Sequence, residues 1–272
     1  MERPPELVHP ELSYQIRGVL LDVHNTLGPL LQERYYQDAT MIGLEKRGIA
    51  CTAEKSFEVY YRDERVGLYY VDVWIEGGKI LLELKVAPSI EQIHRAQAIS
   101  YLKVTDADLA IVANFGNSRL DDERLPNYLR DRQVAFSWEQ QPVSQDLLYP
   151  DLAGRIQRAC HRVHVTLGPG FLHQVYRRAT MIELHHSGLD YDYVKKLPVE
   201  YENRLLGYQD VRLIRVEDKV LLATFALRYV NDSGQLPLAQ QLGARLRRLD
   251  LKLGLLANFY GTKLEMTPVR VQ

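Results

Sequence analysis

The seven residues Val23-His24-Asn25-Thr26-Leu27-Gly28-Pro29 return 140 positions later as Val163-His164-Val165-Thr166-Leu167-Gly168-Pro169. At the same offset Tyr36 meets Tyr176, Ala39-Thr40-Met41-Ile42 meets Ala179-Thr180-Met181-Ile182, Gly48 meets Gly188, Gly67 meets Gly207, and Leu81-Leu82 meets Leu221-Leu222. Positions 14 to 86 give 22 identities in 73 ungapped pairs, where unrelated sequences of average usage give about one in sixteen. After a four-residue slip, Ala113-Asn114-Phe115 meets Ala257-Asn258-Phe259. A repeat of this length is too long for a solenoid unit, so each copy must bury a core of its own, and a chain of 272 residues has room for two such domains. The seam is expected near Gln140 to Asp151, a polar stretch holding Pro142 and Pro150, which gives domains at 1–140 and 141–272.

Within each copy the coarse pattern is two helices, a run of strands, a helix and further strands. Ile16, Val19, Leu20, Val23 and Leu27 fall on one helical face, Gly28-Pro29 breaks it, and a second helix is expected from about Leu31 to Arg47 before Gly48. Ser56 to Arg62 and Leu68 to Ile75 are rich in Val, Tyr and Trp, as strands are. Gly77-Gly78 marks a tight turn, and Lys79 to Val86 reads as a third, largely apolar strand. Ser89 is the expected cap of a helix through Ile90, Ile93, Ala96 and Ala98 to Leu102, and Leu109 to Ala113 is a short buried strand. An antiparallel strand group flanked by helices, then a helix and another strand, makes an α/β sandwich. Tyr60, Tyr61, Tyr69 and Tyr70 cluster in the strands, where filling and edging the sheet accounts for them better than stacking on bases.

Cys51 and Cys160 are too few for a disulfide framework or a four-thiolate zinc site, and the N-terminus lacks the pattern of a signal peptide. The longest apolar runs, such as Ile80-Leu81-Leu82, fall far short of the roughly 20 residues of a membrane helix. The expectation is a soluble, intracellular (cytoplasmic) protein with no membrane partner. With 34 Lys and Arg against 35 Asp and Glu the formal charge is -1, which removes the simplest argument for a nucleic-acid binder, a strongly basic chain.

The chemistry of the first copy lies in its third strand. Glu83 and Lys85 interrupt an apolar run, and alternation points both to one face. Burying two charges is costly unless they are paired or hold a metal. Asp72, between Val71 and Val73 in the preceding strand, can be folded back towards Glu83 by the Gly-Gly turn. Two carboxylates beside a lysine suit a hard cation such as Mg²⁺ or Mn²⁺; a structural ion pair of Lys85 with Glu83 or Asp72 accounts for the same three residues.

Asp72, then Glu83-Leu84-Lys85, then Gln97 with Tyr101 four residues on, resemble the signature of the PD-(D/E)XK nuclease superfamily. The Leu-Gly-Pro turn, Glu33 and Tyr36 on the following helix, and Ala96-Gln97-Ala98-Ile99-Ser100-Tyr101-Leu102 make the unit similar to the GxxExxY proteins of that superfamily. The likeness covers about residues 14 to 118, with an echo over about 153 to 260. Leu30 stands where the family motif has its first glycine and Val71 where the superfamily has its proline, both backbone-shaping positions. The resemblance implies two tandem restriction-endonuclease-like α/β sandwich domains and metal-assisted phosphodiester hydrolysis, with DNA as the expected nucleic-acid partner. It implies that Asp72, Glu83 and the Leu84 carbonyl hold Mg²⁺ or Mn²⁺, joined by Glu33 directly or through water. Lys85 is then the group that positions or helps deprotonate the attacking water, and Gln97 and Tyr101 orient the site or touch the nucleic-acid backbone. His94, one turn before Gln97, is a weaker candidate for the cleft. His24, which recurs as His164, is better explained by packing or capping.

In the second copy Glu33 becomes His173, Asp72 becomes Arg212, Glu83 becomes Ala223, Lys85 becomes Phe225 and Tyr101 becomes Arg245, while Gln97 persists as Gln241. Framework residues survive and the charged set vanishes together, which favours a site over a structural ion pair. Residues 1–140 hold 16 basic and 22 acidic residues and 141–272 hold 18 and 13, so the near-zero total conceals an acidic half and a basic half. Arg212 and Arg215 in the strand pair, and Arg245, Arg247 and Arg248 on the helix, are candidate nucleic-acid contacts. The expected protein is a divalent-metal-dependent nuclease that cuts with its first domain and grips with a degenerate second. It would be a monomer with pseudo-two-fold domain pairing or a homodimer. A non-catalytic nucleic-acid-binding or assembly module is the competing expectation.

Overall fold

The computed structural model describes residues 7–129, 144, 146–227 and 237–271. The chain separates into two compact units, Met1–Val59 with Gly67–Gln133, and Tyr60–Val66 with Val134–Gln272. Positions 140–143 and 145 of the expected seam lie outside the described residues; its last two, Pro150 and Asp151, already begin a helix.

The first repeat runs α1 (Pro10–Leu27), α2 (Glu33–Lys46), β1 (Cys51–Tyr61), β2 (Glu64–Ile75), β3 (Ile80–Lys85), α3 (Gln92–Thr105), β4 (Leu109–Asn114) and β5 (Asp121–Pro126). The second runs α4 (Pro150–Leu167), α5 (His173–His186), β6 (Tyr191–Tyr201), β7 (Arg204–Val216), β8 (Val220–Phe225), α6 (Leu238–Arg248), β9 (Leu253–Asn258) and β10 (Glu265–Arg270). Each forms a five-stranded sheet, β1-β2-β3-β4-β5 and β6-β7-β8-β9-β10, with the same neighbours throughout. The sheets are mixed. β3 pairs with β4 in parallel because α3 carries the chain back across one face, and α6 does the same between β8 and β9.

Alternation along β3 divides its side chains between two layers. Ile80, Leu82 and Leu84 join Ile16, Leu20 and Leu44 of α1 and α2 in one core. Leu81, Glu83 and Lys85 point the other way, to the layer of α3. In the second unit that layer is apolar: Leu221 packs with Leu242 and Leu246 of α6, and Ala223 and Phe225 pack against them.

Two helix starts differ from the sequence pattern, and β1 and β2 begin earlier, at Cys51 and Glu64, than the expected Ser56 and Leu68. α2 begins at Glu33, because Leu30 takes a left-handed conformation (φ 69°) and Gln32 is extended. α3 begins at Gln92 with Glu91, not Ser89, as its cap: the Glu91 side chain accepts from the His94 amide, and His94 Nδ1 accepts from the Glu91 amide at 3.1 Å. His94 is thereby a capping residue. The Gly-Gly turn is one short 3-10 turn with both glycines at positive φ.

Residues shared by the copies perform the same local task in each. Tyr36 Oη donates to the Gly28 carbonyl at 2.7 Å and stacks on Phe115; Tyr176 Oη donates to the Gly168 carbonyl at 2.7 Å and stacks on Phe259. The rings of His24 and His164 bond the carbonyls of Asn117 and Gly261, each at 2.9 Å, so this histidine pair is packing, as expected. Of the strand tyrosines, Tyr61 and Tyr69 are buried while Tyr60 and Tyr70 are more than half exposed, the alternation of a sheet with one covered face. Among the described residues no helix is long and apolar enough to cross a membrane.

Candidate functional site

The β2–β3 ladder runs only from Ile75–Ile80 to Val73–Leu82. Beyond it the strands part, and the Leu84 amide donates to Asp72 Oδ2 at 2.7 Å, a side chain standing in for a backbone partner. This parting of β2 from β3 is what makes room beside Glu83. Gln37, one turn after Glu33 on α2, donates from Nε2 to the Asp72 carbonyl at 2.7 Å and fixes β2 at the same point.

Glu83 is fully buried. Lys85 Nζ stands 2.5 Å from its Oε1 as an ion pair, and Oε2 has no hydrogen-bond partner. Burial, reinforced by the Asp72 charge and only partly relieved by Lys85, pushes the Glu83 carboxyl up to about 8. Burial also raises Asp72, against the opposing pull of the Leu84 amide and Lys85. For Lys85, burial acts downward, but Glu83, Glu33 and Asp72 outweigh it and hold the ammonium above its usual value. Glu33 Oε1 accepts from the Val86 amide at 3.2 Å, tying the start of α2 to the end of β3.

From α3, Gln97 Nε2 donates to Tyr101 Oη at 2.8 Å. Tyr101 is buried edge-on against Tyr69, whose hydroxyl accepts from Ser100. Burial first, then the Glu83 and Asp72 charges, raise the Tyr101 phenol, so it stays a neutral hydroxyl. The structure therefore brings Asp72, Glu83, Lys85, Gln97 and Tyr101 to one region, with Glu33 at its rim. Among the described residues no three His, Cys, Asp or Glu side chains are close enough to form a ready-made metal cluster. The donor set that fits a hard cation is two carboxylates, one with a buried unpartnered oxygen, and the backbone at Leu84.

Two supporting residues went unseen in the sequence. Gln37 shares a helical face with Glu33 at i+4, the one signal that pointed to it. Asn114, fully buried, accepts from the Ala87 and Gly116 amides and donates to the Ala87 carbonyl, holding the loop after β3. Its recurrence as Asn258 was visible, but the loop it clamps was not.

In the second unit the ungapped pairing slips by one rung. Trp74 stands opposite Leu81, but it is Arg215, not Ile214, that stands opposite Leu221. A bulge at Val211 and Arg212 absorbs the difference, with Arg212 left-handed at φ 52°. Arg215 is held by Asp192 at 2.6 Å and Asp218 at 3.1 Å. Arg245, Arg247 and Arg248 crowd the last turn of α6, where the helix dipole also favours them. Arg245 reaches Gln241 at 3.5 Å and Arg248 reaches Gln209 at 3.3 Å.

No curated protein sequence matches the chain. A solved structure titled "Crystal structure of SSO0001" is similar at 18% identity and a TM-score of 0.25, covering 42% of this chain and 60% of that one. The family model of the PD-(D/E)XK nuclease superfamily matches twice, over residues 10–125 and 150–271. Each match takes in one five-stranded sheet with its helices, and together they span most of the sequence. The chain belongs to the PD-(D/E)XK nuclease superfamily.

Proposed function

We propose that the protein is a divalent-metal-dependent nuclease of the GxxExxY type, cutting DNA with its first repeat. The second repeat, in this reading, is a copy that has lost the site. A nuclease-type function and the use of divalent metals are general to the superfamily. The observation that carries the finer reading is Glu83: fully buried, with one oxygen unpartnered, where β2 and β3 part beside Asp72 and Lys85. A carboxyl group buried with an unpartnered oxygen for stability alone is expensive, and in the second repeat the same face is filled by Ala223 and Phe225.

Asp72, Glu83 and the Leu84 carbonyl would hold Mg²⁺ or Mn²⁺, which supplies a polarised phosphate and a water of lowered pKa. Lys85, held by Glu83, presents a positive charge where negative charge builds on phosphorus. Gln37 and Glu33 fix the two strand ends. Gln97 orients the Tyr101 hydroxyl as a neutral donor beside the carboxylates. In the second repeat Arg212, Arg245, Arg247 and Arg248 serve as phosphate contacts, with Arg215 restrained by its acidic neighbours.

The test is cleavage of single-stranded, double-stranded and nicked DNA and of RNA with Mg²⁺ or Mn²⁺, by the wild type and by Lys85→Ala and Glu83→Ala. Activity that persists in both variants excludes this site. A folded wild type that binds nucleic acid but cleaves none of these substrates favours the non-catalytic module.

A further inference from the structure

The second unit contains a pocket of about 190 Å³ lined by the counterparts of the candidate site. His173 replaces Glu33, Arg177 replaces Gln37 and Arg245 replaces Tyr101, while Leu213 takes the rung of Asp72 and the bulge sets Arg212 beside it. Among its described lining residues there is no carboxylate. The volume lies below the ~300 Å³ at which drug-sized ligand sites begin, so it suits a small polyatomic group.

Two of its lining residues carry buried polar atoms without partners. Arg177 is 6% exposed and its Nε has no hydrogen bond; Thr224 is 9% exposed and its Oγ1 has none. Buried donors left unmatched are uncommon, and a guanidinium presents five N–H groups in a fork that fits tetrahedral oxyanions. The Arg177 guanidinium lies over the Tyr193 ring at 5.6 Å, which holds its plane in place. The bulge at Val211 and Arg212 is a second, separate sign. It places Arg212 in a left-handed conformation that arginine seldom adopts, in the strand that lines the pocket. Burial, with the Arg177 and Arg212 charges, holds His173 below its usual value, and burial with Arg212 beside it lowers Arg177. The pocket is thus a concentration of positive potential with no carboxylate among its described lining residues.

We propose that this charge-inverted pocket binds a phosphate group, gripped by Arg177, Arg212 and Arg245. The inference rests on the reading of Arg212 and Arg245 as phosphate contacts, but the site needs no metal and no catalysis, so it stands or falls apart from the cleavage assigned to the first repeat. A phosphate can come from the terminus of a nucleic-acid strand or from solution, and both sources offer the same oxyanion.

The experiment uses the full-length protein in EDTA, so that cleavage cannot intervene. Calorimetry with inorganic phosphate is compared for the wild type, Arg212→Glu, Arg177→Met and the surface control Lys252→Glu. Arg212 is exposed, so its reversal does not endanger folding even where Arg177→Met does. The expected result is loss of phosphate affinity by about tenfold or more in Arg212→Glu, with Lys252→Glu within about twofold of wild type. Anisotropy with 5′-phosphorylated and 5′-hydroxyl oligonucleotides separates the sources: tighter binding of the phosphorylated strand, competed by inorganic phosphate, assigns a strand terminus, and no preference assigns free phosphate. A wild type that binds no phosphate, or equal affinity in Arg212→Glu and Lys252→Glu, overturns the proposal. A cleaving enzyme with an empty pocket, or a phosphate binder that does not cut, separates this inference from the proposed function.

Discussion

The end of β3 and the end of β8 hold the same place in two sheets of the same strand order, yet they carry opposite chemistry. At the first, Asp72 and the fully buried Glu83 surround Lys85; at the second, Ala223 and Phe225 pack against the α6 layer and arginines gather beside them. What stays constant is the frame: the tyrosine on the second helix, the histidine on the first, the asparagine at the end of the fourth strand. One scaffold tolerates both fillings, so the charges of the first unit are not demanded by the fold.

The comparison breaks most visibly through activity. Lys85→Ala and Glu83→Ala are each expected to lower the cleavage rate by about a thousandfold while leaving circular dichroism unchanged, because the first removes the positive charge facing the reacting phosphate and the second a proposed metal ligand. The converse holds for Ala223→Glu with Phe225→Lys, which will not restore cutting to the second repeat while Leu213 holds the rung of Asp72. A measurable rate in either direction contradicts the assignment.

Next in size is a stability effect confined to the first unit. Without metal, Glu83 keeps its proton to about pH 8 in the folded chain, against an ordinary value of 4.5. Between those values the folded state binds more protons than the unfolded one, so stability falls as pH rises. Thermal melts in EDTA are expected to decline from pH 5 to pH 8 by on the order of a few kcal/mol. Glu83→Gln flattens that decline, since the neutral amide never ionises. A melt that is flat from pH 5 to pH 8 in the wild type, or equally sloped in Glu83→Gln, removes Glu83 as the cause.

The frame is tested by treating the copies alike. Asn114 and Asn258 each accept from and donate to the backbone of the loop following the third strand, at Ala87 and at Leu227. Replacing either by Ala leaves buried backbone groups unpaired and is expected to destabilise its unit by about 1–3 kcal/mol. Urea unfolding that responds to Asn114→Ala but not to Asn258→Ala shows the two frames to be unequal.

Much of this was legible because the chain contains its own control. The repeat announced two cores, and joint loss of Glu33, Asp72, Glu83 and Lys85 set the candidate site apart from the frame. Illegible were features that depend on register. An ungapped alignment could not show that the second hairpin turn is one residue shorter, nor that a bulge at Arg212 repairs the count. It could not show that Arg215 would be held by Asp192, a residue 23 positions away on the neighbouring strand. The pattern points to Ser89 as the cap of α3 where the structure has Glu91, because an acidic residue and a histidine three apart form a less familiar reciprocal cap than serine does.

The smallest expected effect concerns Leu30, where the family motif has glycine and the second repeat has Gly170. Leu30 adopts φ 69° and Gly170 φ 113°, so both chains turn through the region that favours glycine. The turn before α2 is therefore kept in spite of the substitution, at a strain of roughly 1–2 kcal/mol for a residue with a Cβ. Leu30 is 73% exposed, so little packing compensates. Leu30→Gly relieves the strain but gives back about 0.5–1 kcal/mol through the freer unfolded chain, for a net gain below about 1 kcal/mol. Gly170→Leu carries the strain without any relief and is expected to destabilise by about 1–2 kcal/mol. Differential scanning calorimetry of the two variants reads both signs; a loss of stability in Leu30→Gly shows instead that the leucine side chain is held by a contact that outweighs its backbone.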